Sequence, residues 1–187
     1  WAGSVGPTRG LEVAVNLSAK QLAEPYFVKE VAGLLHEHDI GGRGPVSLWL
    51  EITETLLLED PIVTASLLTE LRGLGVKLSI DDFGTGYSSL AYLRRFPVDA
   101  LKVDKSFIDG LGREAEDSAI VRAVVNLAQT LGLDTVAEGV ETEVQRDELL
   151  ALDCTYAQGY LWAPPLPVDE LDRMLARACL PAAAESA

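Results

Sequence analysis

Six short apolar segments recur along this chain at the pace of one strand and one helix per unit, and that rhythm limits the folds open to it. The segments are 11–18 (LEVAVNLS), 46–53 (VSLWLEIT), 77–83 (KLSIDDF), 100–105 (ALKVDK), 134–140 (DTVAEGV) and 156–162 (YAQGYLW). Each is brief and aliphatic or β-branched, as strands are. Helical apolar spacing fills the intervals, at 21–37, 61–74, 88–95, 115–131, 143–152 and 168–178. Gly75 and Gly132 follow two of these runs and suit helix ends. Strand starts are 35, 31, 23, 34 and 22 residues apart, against about 31 per unit in an eight-fold barrel of about 250 residues. An open doubly wound sheet is the alternative, but it carries a glycine-rich phosphate turn after its first strand, and none follows Ser18. The expected fold is therefore α/β: an incomplete TIM-like (β/α) barrel of six βα units, with the first two strands expected upstream of Trp1. Residues 1–10 read as the end of a preceding helix plus a loop, 11–180 as the domain, and 181–187 as a frayed tail.

Alternation within the strands sorts the side chains by face. Leu11, Val13, Val15 and Leu17 oppose Ala14, Asn16 and Ser18. Leu48, Leu50 and Ile52 oppose Trp49, Glu51 and Thr53. Leu78 and Ile80 oppose Ser79 and Asp81, and Leu101 and Val103 oppose Lys102 and Asp104. A barrel turns its aliphatic face to the helices, so Asn16, Glu51, Asp81 and Lys102 converge inside, near the C-terminal mouth. Asp82 stands at the strand end beside Asp81, while Glu138 and Gln158 come from the fifth and sixth strands, where alternation is less clean. Several carboxylates around one lysine are expensive to bury unless a cation joins them. An oxygen-rich set of this kind suits Mg²⁺ or Mn²⁺; a hydrogen-bonded polar layer is the plainer alternative.

Charge narrows the partners. With 15 Lys+Arg against 29 Asp+Glu, the net charge is −14. That is a poor match for DNA or anionic membranes, which call for basic stripes. Two cysteines, Cys154 and Cys179, form neither a disulfide framework nor a Cys-x-x-Cys metal pair, and read as reduced thiols. No signal peptide or apolar membrane span is legible, so a cytoplasmic setting is expected. His36 and His38, two apart on a helix, point in different directions and read as solvated, as do Arg94 and Arg95. Trp49 and Trp162 read as packing or mouth residues. The glycines of 83–87 (FGTGY) make no GxGxxG fingerprint and read as a flexible loop.

Six stretches together resemble the EAL-domain family of cyclic di-GMP phosphodiesterases: VNLSAKQL (15–22), LEITET (50–55), IDDFGTGYSSL (80–90), LKVDKSF (101–107), VAEGVET (136–142) and QGYLWAPPLP (158–167). They stand in the family's order and spacing. The resemblance implies metal-dependent hydrolysis of cyclic di-GMP to linear pGpG, with two divalent ions, Mg²⁺ or Mn²⁺. It implies metal ligands at Asn16, Glu51, Asp81, Asp82 and Glu138, with Asp81 bridging both ions. It implies catalytic roles for Lys102, which would orient the attacking water, and for Glu138 and Gln158. Glu54 would anchor the loop after the Asp81–Asp82 pair, and Asp104 and Glu141 would act behind the ligands or on the substrate side. It also implies a homodimer, and an upstream sensor or GGDEF domain that in some members tethers the protein to a membrane. The family's Glu-Ala-Leu signature, which contributes a further ligand, is absent from these residues. Lys105 stands where arginine is common, and WAPP (162–165) replaces a more usual glycine-arginine-proline stretch. A catalytically inactive cyclic di-GMP receptor or scaffold, and an unrelated metal-dependent barrel enzyme, are the competing readings.

Overall fold

A computed structural model gives the structure of the chain; it describes residues 11–38, 40, 46–86 and 93–178. Six parallel strands are hydrogen-bonded in strict chain order: β1 (Leu11–Asn16), β2 (Val46–Thr53), β3 (Lys77–Phe83), β4 (Ala100–Val103), β5 (Asp134–Ala137) and β6 (Tyr156–Ala157). Consecutive order without reversal is barrel topology; a doubly wound sheet reverses direction partway across. The sheet curls into part of an incomplete TIM-like barrel, with the helices lying between successive strands.

The helices are α1 (Ala19–Leu22), α2 (Phe27–Glu37), α3 (Glu54–Glu59), α4 (Pro61–Gly73), α5 (Lys105–Asp109), α6 (Ala115–Leu131), α7 (Glu143–Ala151) and α8 (Val168–Ala178). The helix expected over 21–37 is two pieces, because Pro25 falls between α1 and α2 and cannot donate a helical hydrogen bond. α2 buries Phe27, Val31 and Leu35, one residue per turn on a single face. Asp60 caps α4 by accepting from the Val63 amide at 3.2 Å, ahead of Pro61 in the first turn. Gly132 ends α6 at φ 71°, the left-handed conformation expected of it. The short helices α3 and α5 follow β2 and β4 directly and were not expected. The helix expected over 88–95 falls largely on residues outside the described ones, as do 1–10 and the tail 181–187.

The fifth and sixth strands are shorter than their apolar runs. β5 stops at Ala137 and β6 at Ala157, so Glu138 and Gln158 each lie one residue past a strand end. The core fills the space between sheet and helices; Ile52, Leu68, Leu71, Leu78, Leu101, Val103 and Ile108 are wholly buried. At β1 the outward aliphatic face departs from expectation. Leu17 is buried, but Val13 and Val15 are 40% and 46% exposed. β1 pairs on one side with β2, and an edge strand has fewer neighbours to cover its side chains. Cys154 is half-buried, its thiol directed at the Tyr156 carbonyl at 3.3 Å, and burial pushes its pKa up, which keeps it protonated. No described helix is long and apolar enough to cross a membrane.

Leu78 sits in the middle of β3 with no exposed surface. Leu78→Ala in the full chain is expected to lower unfolding free energy by about 2–5 kcal/mol, read as a shifted urea midpoint at unchanged slope.

Candidate functional site

The C-terminal ends of the strands gather one lysine and a ring of acids. Lys102 projects from β4 with 4% of its side chain exposed. Its Nζ lies 2.7 Å from Glu51 Oε1, 2.9 Å from Asp81 Oδ1 and 2.7 Å from Glu138 Oε1. Those three acids come from β2, β3 and the residue after β5, so one ammonium joins three separate βα units. Burial alone would depress the Lys102 pKa, but the hydrogen bonds it donates to Glu138 and Glu51 outweigh it and hold the group above the ordinary lysine value. Glu138 moves up as well: burial disfavours its charge, and Lys102 offsets this in part. Gln158 Nε2 donates to the same Glu138 Oε1 at 2.6 Å.

Asp82 joins the ring through an irregularity in the sheet. Register between β3 and β4 runs Ile80 to Leu101 and then Phe83 to Val103, so Asp81 and Asp82 together face Lys102. This is a β-bulge, the extra residue taking φ 53°. Asp tolerates that left-handed conformation better than bulkier residues do. Strict alternation would send adjacent carboxylates to opposite faces; the bulge brings both to one side. Ligand oxygens of Asp81, Asp82 and Glu138 all lie within 4.8 Å of one another. Burial and the neighbouring Asp81 charge raise the Asp82 pKa. Asp104 shifts down: its burial is outweighed by hydrogen bonds from Ser106, whose amide donates to Oδ1 at 2.9 Å. Proximity to Asp104 adds to the upward shift of Asp82, and Asp104 also caps α5.

The remaining candidates lie around this ring. Asn16 ends β1 directly opposite Glu51 in register. Glu54 opens α3 and faces the loop after β3 instead of the ring. It is buried, its two oxygens have no hydrogen-bond partner among the described residues, and a Cβ on Gly86 would stand 3.0 Å from Oε1. Glu141 lies outside the ring, where its carboxylate accepts from Lys105 Nζ at 2.5 Å. Below the ring on the same strands, Trp49 is buried with the Lys77 ammonium 4.6 Å from its ring centroid. Sequence reading passed over Gln145, a buried amide whose signal was available as the Thr142-x-x-Gln145 capping pattern.

The donor set fits a divalent cation. Every member offers carboxylate oxygen, the donor that Mg²⁺ and Mn²⁺ prefer, and the acids outnumber the one lysine that could neutralise them. Parallel βα units with an acid-rich site at the strand C-termini define a barrel-type protein whose chemistry sits at its mouth. The chain belongs to the EAL domain family, whose model matches residues 1–165. It is 46% identical over 159 residues to the Pseudomonas aeruginosa bifunctional diguanylate cyclase/cyclic di-GMP phosphodiesterase MucR, covering 85% of this chain and 23% of MucR. It is 48% identical over 165 residues to the cyclic di-GMP phosphodiesterase NbdA of the same organism, covering 88% and 21%. The chain thus spans under a quarter of the length of these curated relatives. Among solved structures, the PaMucR phosphodiesterase in complex with c-di-GMP superposes with TM-score 0.78 at 44% identity, over 86% of this chain and 64% of that one. A Klebsiella pneumoniae BlrP1 manganese/cyclic di-GMP complex gives 0.72 at 33%, over 80% and 38%.

The ring makes stability depend on Lys102. Its raised pKa means that its contribution is complete below the ordinary lysine value of 10.5 and is lost as pH rises through the folded value. For Glu138 the sign is opposite: its ionisation opposes folding above the glutamate range, and that opposition fades as pH falls through its folded value. Lys102→Met, which strands three acids, is expected to cost about 3–5 kcal/mol at pH 7.5. The deficit should shrink at pH 5, where carboxyls take up protons, as measured by urea unfolding at both pH values.

Proposed function

We propose that this chain is the catalytic part of a divalent-metal-dependent phosphodiesterase that opens cyclic di-GMP to linear pGpG. The observation that carries the proposal is the convergence of Asp81, Asp82 and Glu138 oxygens within 4.8 Å of one another, beside a lysine buried among Glu51, Asp81 and Glu138. The names and bound ligands of the related proteins, MucR, NbdA and the manganese/cyclic di-GMP complex of BlrP1, support it.

Asn16, Glu51, Asp81, Asp82 and Glu138 would hold two ions, Mg²⁺ or Mn²⁺. When bound, such a pair acidifies a water and offsets the charge that develops on the phosphoryl oxygens. The rest of the chemistry falls to the chain. Lys102 stays protonated at physiological pH, so it serves as a fixed positive charge and hydrogen-bond donor toward the attacking water and cannot act as a base. Glu138 is held at one oxygen, Oε1, by both Lys102 and Gln158, which orients the carboxylate, and the Gln158 amide would act near the attacking water and substrate. The water oxygen bonds to phosphorus, the ribose oxygen leaves, and the water's proton passes to that leaving oxygen. Asp104 would act beside Asp82, behind the ligands or on the substrate side. Glu54 would brace the loop through Gly86, and Glu141 would act at the flank. A homodimer, a cytoplasmic setting and an upstream sensor or GGDEF domain belong to the same proposal.

Asp81→Asn preserves shape and one acceptor oxygen while removing charge. In the full chain with Mn²⁺ it is expected to reduce pGpG formation about 100-fold or more, with circular dichroism unchanged. Wild-type turnover in this variant, followed by chromatography of the nucleotides, would overturn the two-ion reading. Glu54→Ala should lower the rate through the loop, leaving the acidic ring itself intact; raised Mn²⁺ should then recover part of the rate.

A further inference from the structure

Gln145 is buried in the first turn of α7. Its Oε1 accepts from the amides of Thr142 at 2.9 Å and Glu141 at 2.8 Å, and its own amide donates to Thr142 Oγ1 at 3.2 Å. That much is a helix cap, which a glutamate performs equally well. Nε2 does something a cap does not require: it donates to the Ile108 carbonyl at 2.9 Å, thirty-seven residues away in α5. Ile108 is wholly buried, so this tie has a rigid end.

The tie joins two segments that carry the site. α5 begins immediately after Asp104, two residues past Lys102, and the turn from Glu138 to Thr142 begins with Glu138 itself. A second link lies at the other end of α5. Lys105 Nζ donates to Glu141 Oε1 at 2.5 Å, and its stem crosses Gly139 so closely that a Cβ there would meet Lys105 Cγ at 2.4 Å. Gly139 has φ 70°, so both conformation and space exclude a side chain. The amide of Glu138 donates to the Val103 carbonyl at 3.1 Å, and that of Val140 to the Gln158 carbonyl at 3.0 Å. The backbone around Glu138 is thus tied to β4 and to the residue after β6, and Gln145 supplies a buried side-chain anchor to α5.

We propose that Gln145 is a positioning residue for Glu138: its carboxamide locks the turn bearing Glu138 to the helix that follows Lys102, and so sets the spacing of the acidic ring. This rests on the reading of the ring as a divalent-cation centre. Partners that orient metal ligands typically change affinity or activity by about 10–100-fold when removed.

Gln145→Glu separates the two jobs, since it keeps the cap and turns the donor facing Ile108 O into an acceptor. Mn²⁺ binding to the full chain is titrated by the paramagnetic resonance of free Mn²⁺, with no substrate present. Gln145→Glu is expected to bind Mn²⁺ about 10-fold more weakly or worse, and cyclic di-GMP turnover to need correspondingly more Mn²⁺. Leu149→Ala, a buried change on the same helix, lowers stability without touching these bonds and should bind Mn²⁺ like wild type. If Gln145→Glu binds Mn²⁺ as wild type does, or no worse than Leu149→Ala, the positioning role is wrong. If Gln145→Glu does not fold, Lys105→Met decides: Mn²⁺ binding weakened severalfold and restored in Lys105→Arg supports the lock, whereas unchanged binding overturns it. If wild type itself binds no Mn²⁺, the cation-centre reading falls, and this proposal with it.

Discussion

A single ammonium group keeps this sheet from repelling itself at its mouth. Lys102 Nζ is within 2.9 Å of three carboxylates contributed by three separate strand ends, and these acids are largely buried. Removing water from several like charges in one place raises their energy steeply unless an opposite charge is held among them. Lysine suits that task because its three donors radiate from one nitrogen, matching three acceptors that arrive from different directions. The surrounding aliphatic layer, from Ile52 through Leu78 and Leu101 to Ile108, makes the geometry rigid.

The bulge at Asp81–Asp82 is the second constraint. Without it the sheet would present one acid from β3; with it the sheet presents two. The left-handed backbone at Asp82 carries a steric penalty for a residue with a Cβ, and strain of this kind persists where the surrounding structure over-determines it. Here the flanking residues Ile80 and Phe83 are both buried and paired with β4, which fixes the strand on either side. Asp82 and Asp104 then shift in opposite directions, Asp82 up by burial and the Asp81 charge, Asp104 down because Ser106 donates to it.

The chain states much of this openly. β2 and β3 fall on the residues that their alternation marks, and the inward set Glu51, Asp81 and Lys102 follows from period two, because one face of each strand is aliphatic and the other polar. Where the pattern blurs, so does the reading. The runs at 134–140 and 156–162 are apolar beyond the point where strand pairing stops, since residues past a strand end can still pack on the core, as Val140 does. Pro25 marked the helix break plainly enough. α3 and α5 are each under two turns, too short for an apolar period to register. Asp82 entered the candidate set through its place beside Asp81 and the motif resemblance, while the bulge that turns it toward Lys102 was not legible, because a register shift is a property of two strands together. Gln145 lay in view as a capping residue, while its bond to Ile108 depends on how α5 sits, which no local pattern encodes. The six motif stretches pointed to the EAL family, to which the chain belongs.

Strands that neighbour one another in strict chain order have an evolutionary corollary. Each βα unit supplies one or two groups to the rim, and the segments that join successive units run outside, away from it. Length and surface in those outer segments are free to drift, lengthen or acquire new binding faces while the chemistry at the rim stays constant. A scaffold so arranged lends itself to rewiring by different upstream signals, since control can be inscribed on the periphery without rewriting the reaction.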